Sequence, residues 1–276
     1  MKTIKLYFHR FFQIMSQNEM KILPGNLAFF LILSIMPLLT LLGIICSTFS
    51  LSTVEVTEIL HDVLPEGIIS ILQPFFTAGS DTPHLVILLI VGFIVASNGA
   101  HAIILASNQF YKIKNSNYLA RRIKAFFLTI ILLLMFLFVL VVLAFGNTIL
   151  KFILSLDIFQ YISIDIYSIF ILFKWPTAFF IIYFLVKVLY TMAPDKKVPS
   201  KYVTIGAMFT TIGWLIGTAV YSLYANNFAN YERFYGNLSN IAMLMLWIYL
   251  ISYIFVLGIA INTSYYEFND EKRSIE

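Results

Sequence analysis

Charge is what this sequence has least of. Only 12% of its 276 residues are Asp, Glu, Lys or Arg, about half the share that covers a soluble domain. A chain whose whole surface meets water is thereby excluded. Cysteine is nearly absent too: Cys46 stands alone, so no intrachain disulfide can form and cysteine pairing says nothing about compartment. The four histidines, His9, His61, His84 and His101, are scattered over different segments. The Glu58-x-x-His61 spacing in "EILHD" has no second cluster beside it, so no metal site and no cofactor is expected. There is no phosphate-cradling loop, no nucleophile elbow and no pair of catalytic carboxylates in the apolar runs, so an enzyme is not expected. Those runs hold almost no acid, which argues against ordinary proton- or sodium-coupled transport.

What is present is apolar length. Hydrophobic residues make up 60% of the chain, with 27 Phe and 16 Tyr, and the mean hydropathy is +0.88. Crossing a hydrocarbon core of roughly 30 Å takes about 20 apolar residues as a helix. Stretches of that kind lie near 27–49, 85–109, 124–150, 168–192, 202–225 and 240–263. In lipid the backbone must satisfy its own hydrogen bonds, which selects helices. The expectation is an all-α, polytopic integral membrane protein: one membrane domain over 1–276, with six transmembrane helices. Ahead of them, "IKLYFHRFFQIM" repeats apolar residues at helical spacing. Residues 1–24 therefore read as an interfacial helical arm rather than a signal peptide, with the chain turning into the membrane at Pro24–Gly25. A solvated tail is the alternative.

Basic residues alternate along the connections. The N-terminal arm, the 110–124 segment, the "PDKKVPSK" segment and the 264–276 tail hold 14 of the 18 Lys and Arg. Loops rich in Lys and Arg stay in the cytoplasm, so both termini are expected there. The dispersed pattern fits topology and contact with anionic lipid, and not nucleic-acid binding. The 50–83 loop on the opposite side has acids and no Lys or Arg. Its "GIISILQPFFTAG" places Ile68, Ile71, Leu72, Phe75 and Phe76 on one stripe ending at Gly79, and "VEVTEILHDVL" has a weaker one. Two short amphipathic helices are expected, lying on the membrane, capping the bundle, or gating it.

Polar residues inside the apolar runs are the candidates for function. Asn98, His101 and Asn108 share one helical face in the second span, and polar groups in hydrocarbon turn toward partners or water. With Asn26, Lys174 and Asn262, Asn98 and His101 are candidates to line a polar cavity. Interhelical hydrogen bonding is the competing reading for the Asn and His positions; for Lys174, beside Trp175 and Pro176, it is snorkelling to the interface. Gly206, Thr210, Gly213 and Gly217 form a small-residue seam for close helix packing. Between spans five and six, "YANNFANYERFYGNLSN" (224–240) is a wet, aromatic hairpin. Asn226, Asn227, Tyr231 and Arg233 could form an outer rim that receives an anionic headgroup. Alternatively the hairpin is a rigid plug, with Gly236 taking a positive φ.

That hairpin and its flanks resemble the signature of the YihY/BrkB family of bacterial membrane proteins, at Asn227, Tyr231, Tyr235, Gly236, Leu246, Trp247, Tyr249, Leu250, Gly258 and Asn262. Ser34 and Pro37 of the first span match its opening helix, and "LVKVLYTMAPDKKVP" its fourth-helix exit. The sequence departs at Ile261, where the family usually has Glu. The resemblance implies a six-helix inner-membrane protein of the cell envelope, with lipids or lipid-linked molecules as partners and substrates of some members. A ribonuclease label once attached to the family finds no nuclease site here. Two functions follow as expectations: a transporter or flippase-like protein for an amphipathic envelope component, or a non-transporting scaffold or assembly factor.

Overall fold

A computed structural model describes residues 13, 16–48, 66–76, 85–134, 166–227 and 235–275. Among them there is no strand. The helices are α1 (Asn18–Thr48), α2 (Glu66–Phe76), α3 (Leu85–Phe110), α4 (118–134), α5 (Ile166–Met192), α6 (Thr204–Asn227) and α7 (Ser239–Ile275). Short 3-10 turns at Ser200–Tyr202 and Gly236–Leu238 lead into α6 and α7.

Among the described residues, four helical stretches are long and apolar enough to cross a membrane: Asn18–Leu41, Ile90–Phe110, Thr204–Ala225 and Ser239–Glu267. The third expected span, 124–150, falls partly outside the described residues, while the fourth, 168–192, lies within α5. The helix at 118–134 begins ahead of the expected 124, and an apolar segment of α5 runs from Phe179 to Met192. Residues 1–12, which carry most of the expected interfacial arm, lie outside the described set, as do the "VEVTEILHDVL" segment and Gly79.

Two boundaries differ from expectation. The chain does not turn at Pro24–Gly25, because α1 already begins at Asn18 and runs straight through both. Proline removes one backbone bond and crowds the preceding turn. Here Met20, Leu23 and Leu27 carry one buried face across it into a common cluster, and that packing holds the helix together. At the other terminus, residues 264–275 are not a separate tail but the continuation of α7. At 37 residues, α7 is about 55 Å long, well beyond the roughly 30 Å of a hydrocarbon core. Nothing after Gly258 breaks the helix, and Tyr265 and Tyr266 pack on Tyr202.

The bundle is organised around α1 and α7. α1 packs along α3 and α7, α6 lies on α7, and α5 lies on α6. α2 sits across α1 and α7, so it caps the bundle. Among its described side chains Ile68 and Ile69 are buried; of the expected stripe, Ile71 is half-buried, and the side chains of Leu72, Phe75 and Phe76 lie outside the described set. Asn240 at the start of α7 donates to Ser70 Oγ at 3.2 Å, tying the cap to the last helix. Gly236 has φ +51°, the left-handed turn expected of it. Rows of exposed apolar side chains, such as Ile212, Ile216, Val220 and Leu223 on α6, face outward. In water they would be a liability; in acyl chains they are the required surface.

Candidate functional site

Four arrangements of polar and small residues stand out, and they start from close helix contacts. α1 meets α3 where Gly99 removes a side chain. Gly99 N–H donates to Ser34 Oγ at 2.9 Å, and the same hydroxyl lies 2.6 Å from Phe30 O. Further along the same pair, Pro37 faces Gly92. Between the helices a cavity of about 240 Å³ is lined by Met36, Pro37, Thr40, Leu41, Ile44, Val91, Gly92 and Val95. Its lining is almost wholly apolar.

The second arrangement joins α3 to α4. Tyr118 packs edge-on to His101 with ring centroids 6.1 Å apart. Arg122 donates to Asn98 Oδ1 at 2.8 Å and to Ile94 O at 2.9 Å, and its guanidinium lies 5.1 Å from the Phe126 ring centroid. Phe126 in turn meets Phe93 at 5.6 Å. The order of these pairs makes the two helices antiparallel. His101 Nε2 and Arg121 Nε are buried without a hydrogen-bond partner among the described residues.

The third is the crossing of α5, α6 and α7. Asn262 is fully buried, and its Oδ1 accepts from Gly206 N–H at 2.7 Å. Gly206 lies in the first turn of α6, where N–H groups lack helical acceptors. Asn262 is thus a cap delivered from another helix. Tyr190 donates to Phe255 O at 2.7 Å and lies 2.6 Å from Thr210 Oγ1. The seam read from the sequence is used here: Gly206 faces Gly258, while Gly213 and Gly217 face Ile254.

The fourth knots together the basic connections. Asp195, with only 9% of its side chain exposed, accepts from Asn108 Nδ2 at 2.8 Å and from Ser116 N and Oγ at 3.1 and 2.9 Å. Lys124 Nζ donates to Asp195 Oδ1 at 3.1 Å and to the Ala193 and Pro194 carbonyls. Burial pushes the Asp195 pKa up, but the hydrogen bonds from Ser116, Asn108 and Lys124 outweigh it and hold the group at about 2, below its usual 3.8. Asn108, read as one member of a polar face, belongs to this knot instead.

The expected cavity residues take separate partners. Asn98 binds Arg122, His101 meets Tyr118, and Asn262 caps α6. Asn26 is exposed: α1 already runs as a helix through Pro24, and that phase puts Leu27 and Ala28 inside instead. Lys174, Asn226 and Asn227 lie in helices, but their side chains are outside the described set; Tyr231 and Arg233 are outside it altogether. Among the described residues, no three His, Cys, Asp or Glu come together as metal ligands. Reading by sequence missed Arg122, which counted only as a loop charge, and Asp195. The signal for Asp195 was there: it is the lone acid in "APDKKV", and it stands opposite the basic "RRIK" run.

Comparison with known proteins matches the chain to a family. The family model described as Virulence factor BrkB covers residues 11–276. A Bacillus subtilis relative whose name carries a ribonuclease-like label, YfkH, is 28% identical over 270 residues, 95% of this chain and 94% of its own. A UPF0761 membrane protein of Alteromonas mediterranea is 32% identical over 87 residues, 32% of this chain and 30% of its own. One from Psychromonas ingrahamii is 33% identical over 79 residues, 29% and 27% of the two chains. No solved structure matches.

Proposed function

Since the chain belongs to the BrkB family of membrane proteins, we propose that it moves a lipid or another amphipathic envelope component, acting in the cytoplasmic membrane as a six-span protein with both termini in the cytoplasm. The observation that carries this reading is the apolar groove between α1 and α3. An apolar cavity of about 150 Å³ can hold a guest as large as benzene, and this one encloses about 240 Å³. Val91, on its rim, is exposed, so the groove opens sideways toward acyl chains. Pro37, on its wall, cannot donate to the α1 ladder. The chemistry needed is passage of a polar group beside an apolar guide, which requires no nucleophile or cofactor. The ribonuclease-like label belongs to YfkH's name.

The test is reconstitution into vesicles of phosphatidylethanolamine and phosphatidylglycerol carrying a fluorescent phospholipid. Transport predicts that a membrane-impermeant quencher removes fluorescence beyond the outer-leaflet share. A Gly92→Leu variant, whose side chain would grow toward Pro37 and Leu41, should lower the rate at unchanged abundance. If the quenched fraction equals that of protein-free vesicles, the transport reading fails.

A second reading has its own observation. Asn98, Asn262, Tyr190, Trp214 and Tyr221 all spend hydrogen bonds between helices. Such a bundle suits a scaffold or assembly factor, which would restore a deletion strain's envelope while moving no lipid in vesicles.

A further inference from the structure

Arginine is costly to leave near lipid without a partner. Among the described residues Arg122 has no carboxylate partner: the ion pairs there join Lys112 to Glu267 and Lys124 to Asp195. Its two hydrogen bonds go to neutral oxygens, Asn98 Oδ1 and Ile94 O. A guanidinium has five N–H donors in a planar fork, so three remain. The surroundings add positive charge. Arg121 is its neighbour, and His101 lies in the field of both arginines, with Asp195 as the opposing charge. Asp195 is already bound by Lys124, Asn108 and Ser116. Two polar atoms beside this cluster, His101 Nε2 and Arg121 Nε, are buried with no partner among the described residues. Unused donors, net positive charge and orphaned polar atoms in one place describe a site built for an oxyanion.

The apolar surface beside the cluster says what carries that anion. Ile87, Ile90, Val91 and Ile94 are exposed along α3, and Ile123 and Phe127 are exposed on α4. The exposed strip of α3 ends one turn before Asn98, where Arg122 reaches across. Tyr118 is exposed beside His101, and tyrosine favours the level where acyl chains give way to headgroups. A free phosphate would use the arginine and leave the strip unexplained.

We infer that Arg122, held by Asn98 and flanked by His101 and Arg121, binds the phosphate of an anionic phospholipid whose acyl chain lies along the exposed face of α3. Arg122 supplies a forked pair of charge-assisted hydrogen bonds, and Asn98 aims it. The inference deepens the lipid-handling reading above and rests on its membrane placement. It concerns binding alone, so it can fail while transport of neutral lipid survives, and hold where no transport occurs.

The experiment compares spin-labelled phosphatidylglycerol with spin-labelled phosphatidylcholine in vesicles containing the full-length protein. The wild type should restrain the anionic lipid about fivefold more strongly, the scale of one arginine near an anionic lipid surface. Arg122→Gln should bring the two lipids level, and Arg122→Lys should keep part of the preference. In the wild type, a photoreactive phosphatidylglycerol should label the 94–101 and 118–126 peptides. This arm needs no variant, so the inference stays testable if Arg122→Gln does not fold. Equal restraint of both lipids by the wild type, full preference in a folded Arg122→Gln protein, or labelling confined to other peptides would overturn it. Displacement of the bound lipid by inorganic phosphate, with labelling lost, would make this a free-anion site and overturn the phospholipid assignment.

Discussion

Replacing Gly258 with Ala places one methyl group at the tightest helix crossing in the bundle. The new Cβ would collide with Thr210 Oγ1 and Tyr190 OH, and Tyr190 Cζ would stand 3.0 Å away. All three helices are committed there. The Tyr190 phenol has a single hydrogen, which it gives to Phe255 O, so Thr210 donates to the phenol oxygen. Overpacking a dense interior by a methyl costs about 1–3 kcal/mol. Displacing Tyr190 also strains two interhelical hydrogen bonds, worth roughly 0.6 kcal/mol each in a membrane bundle. Gly258→Ala should therefore destabilise by about 2–4 kcal/mol.

Tyr190→Phe separates the two terms. Alone it removes the phenol oxygen and its two hydrogen bonds, at about 1 kcal/mol. Combined with Gly258→Ala it also removes one of the two colliding atoms. The double variant should therefore be more stable than the sum of the single costs by at least about 1 kcal/mol. Reversible unfolding by SDS in mixed micelles measures this, with fluorescence of Trp214, stacked 5.9 Å from Phe255, as the local probe. Additivity within about 0.5 kcal/mol, or a Gly258→Ala cost below that value, would refute the crossing as described.

Three further outcomes are expected. Asp195 has its pKa lowered to about 2 from 3.8, so its contribution to stability is fully present above the unfolded value and is lost as pH falls through the folded one. Unfolding followed across pH 4 to 2 should show this loss, and Asp195→Asn should flatten it; an unchanged slope would remove Asp195 from the knot. Asn262→Ala should cost about 1 kcal/mol, the loss of one helix cap, read as a lower SDS midpoint and faster amide exchange at Gly206. For topology, fusions of a reporter active only outside the cytoplasm should give signal after Asp81, Asp157 or Glu232 and none at Lys196; signal at Lys196 would reverse the orientation.

Class and composition were legible because lipid imposes a rule each segment must obey alone. A run of about 20 apolar residues has to be a helix whatever its neighbours are, so the apolar runs of α1, α3, α6 and α7 could be read one at a time. The small-residue seam from Gly206 to Gly217 was legible for a related reason: a missing side chain marks close approach before the partner is known. The partner was not legible. That Gly206 meets Gly258, that Asn262 reaches the first turn of α6, and that Arg122 leaves the basic loop to bind Asn98 all depend on which helices lie side by side. Pro24 shows the same limit. Taken alone it reads as a break, yet α1 runs through it because Met20, Leu23 and Leu27 share one buried face. The sequence by itself determined which segments are apolar enough for lipid, since that depends on each segment's transfer from water. Only the tertiary structure decided which polar groups satisfy one another, because a hydrogen bond needs both partners within about 3 Å, and the periodicity of one helix carries no information about the next.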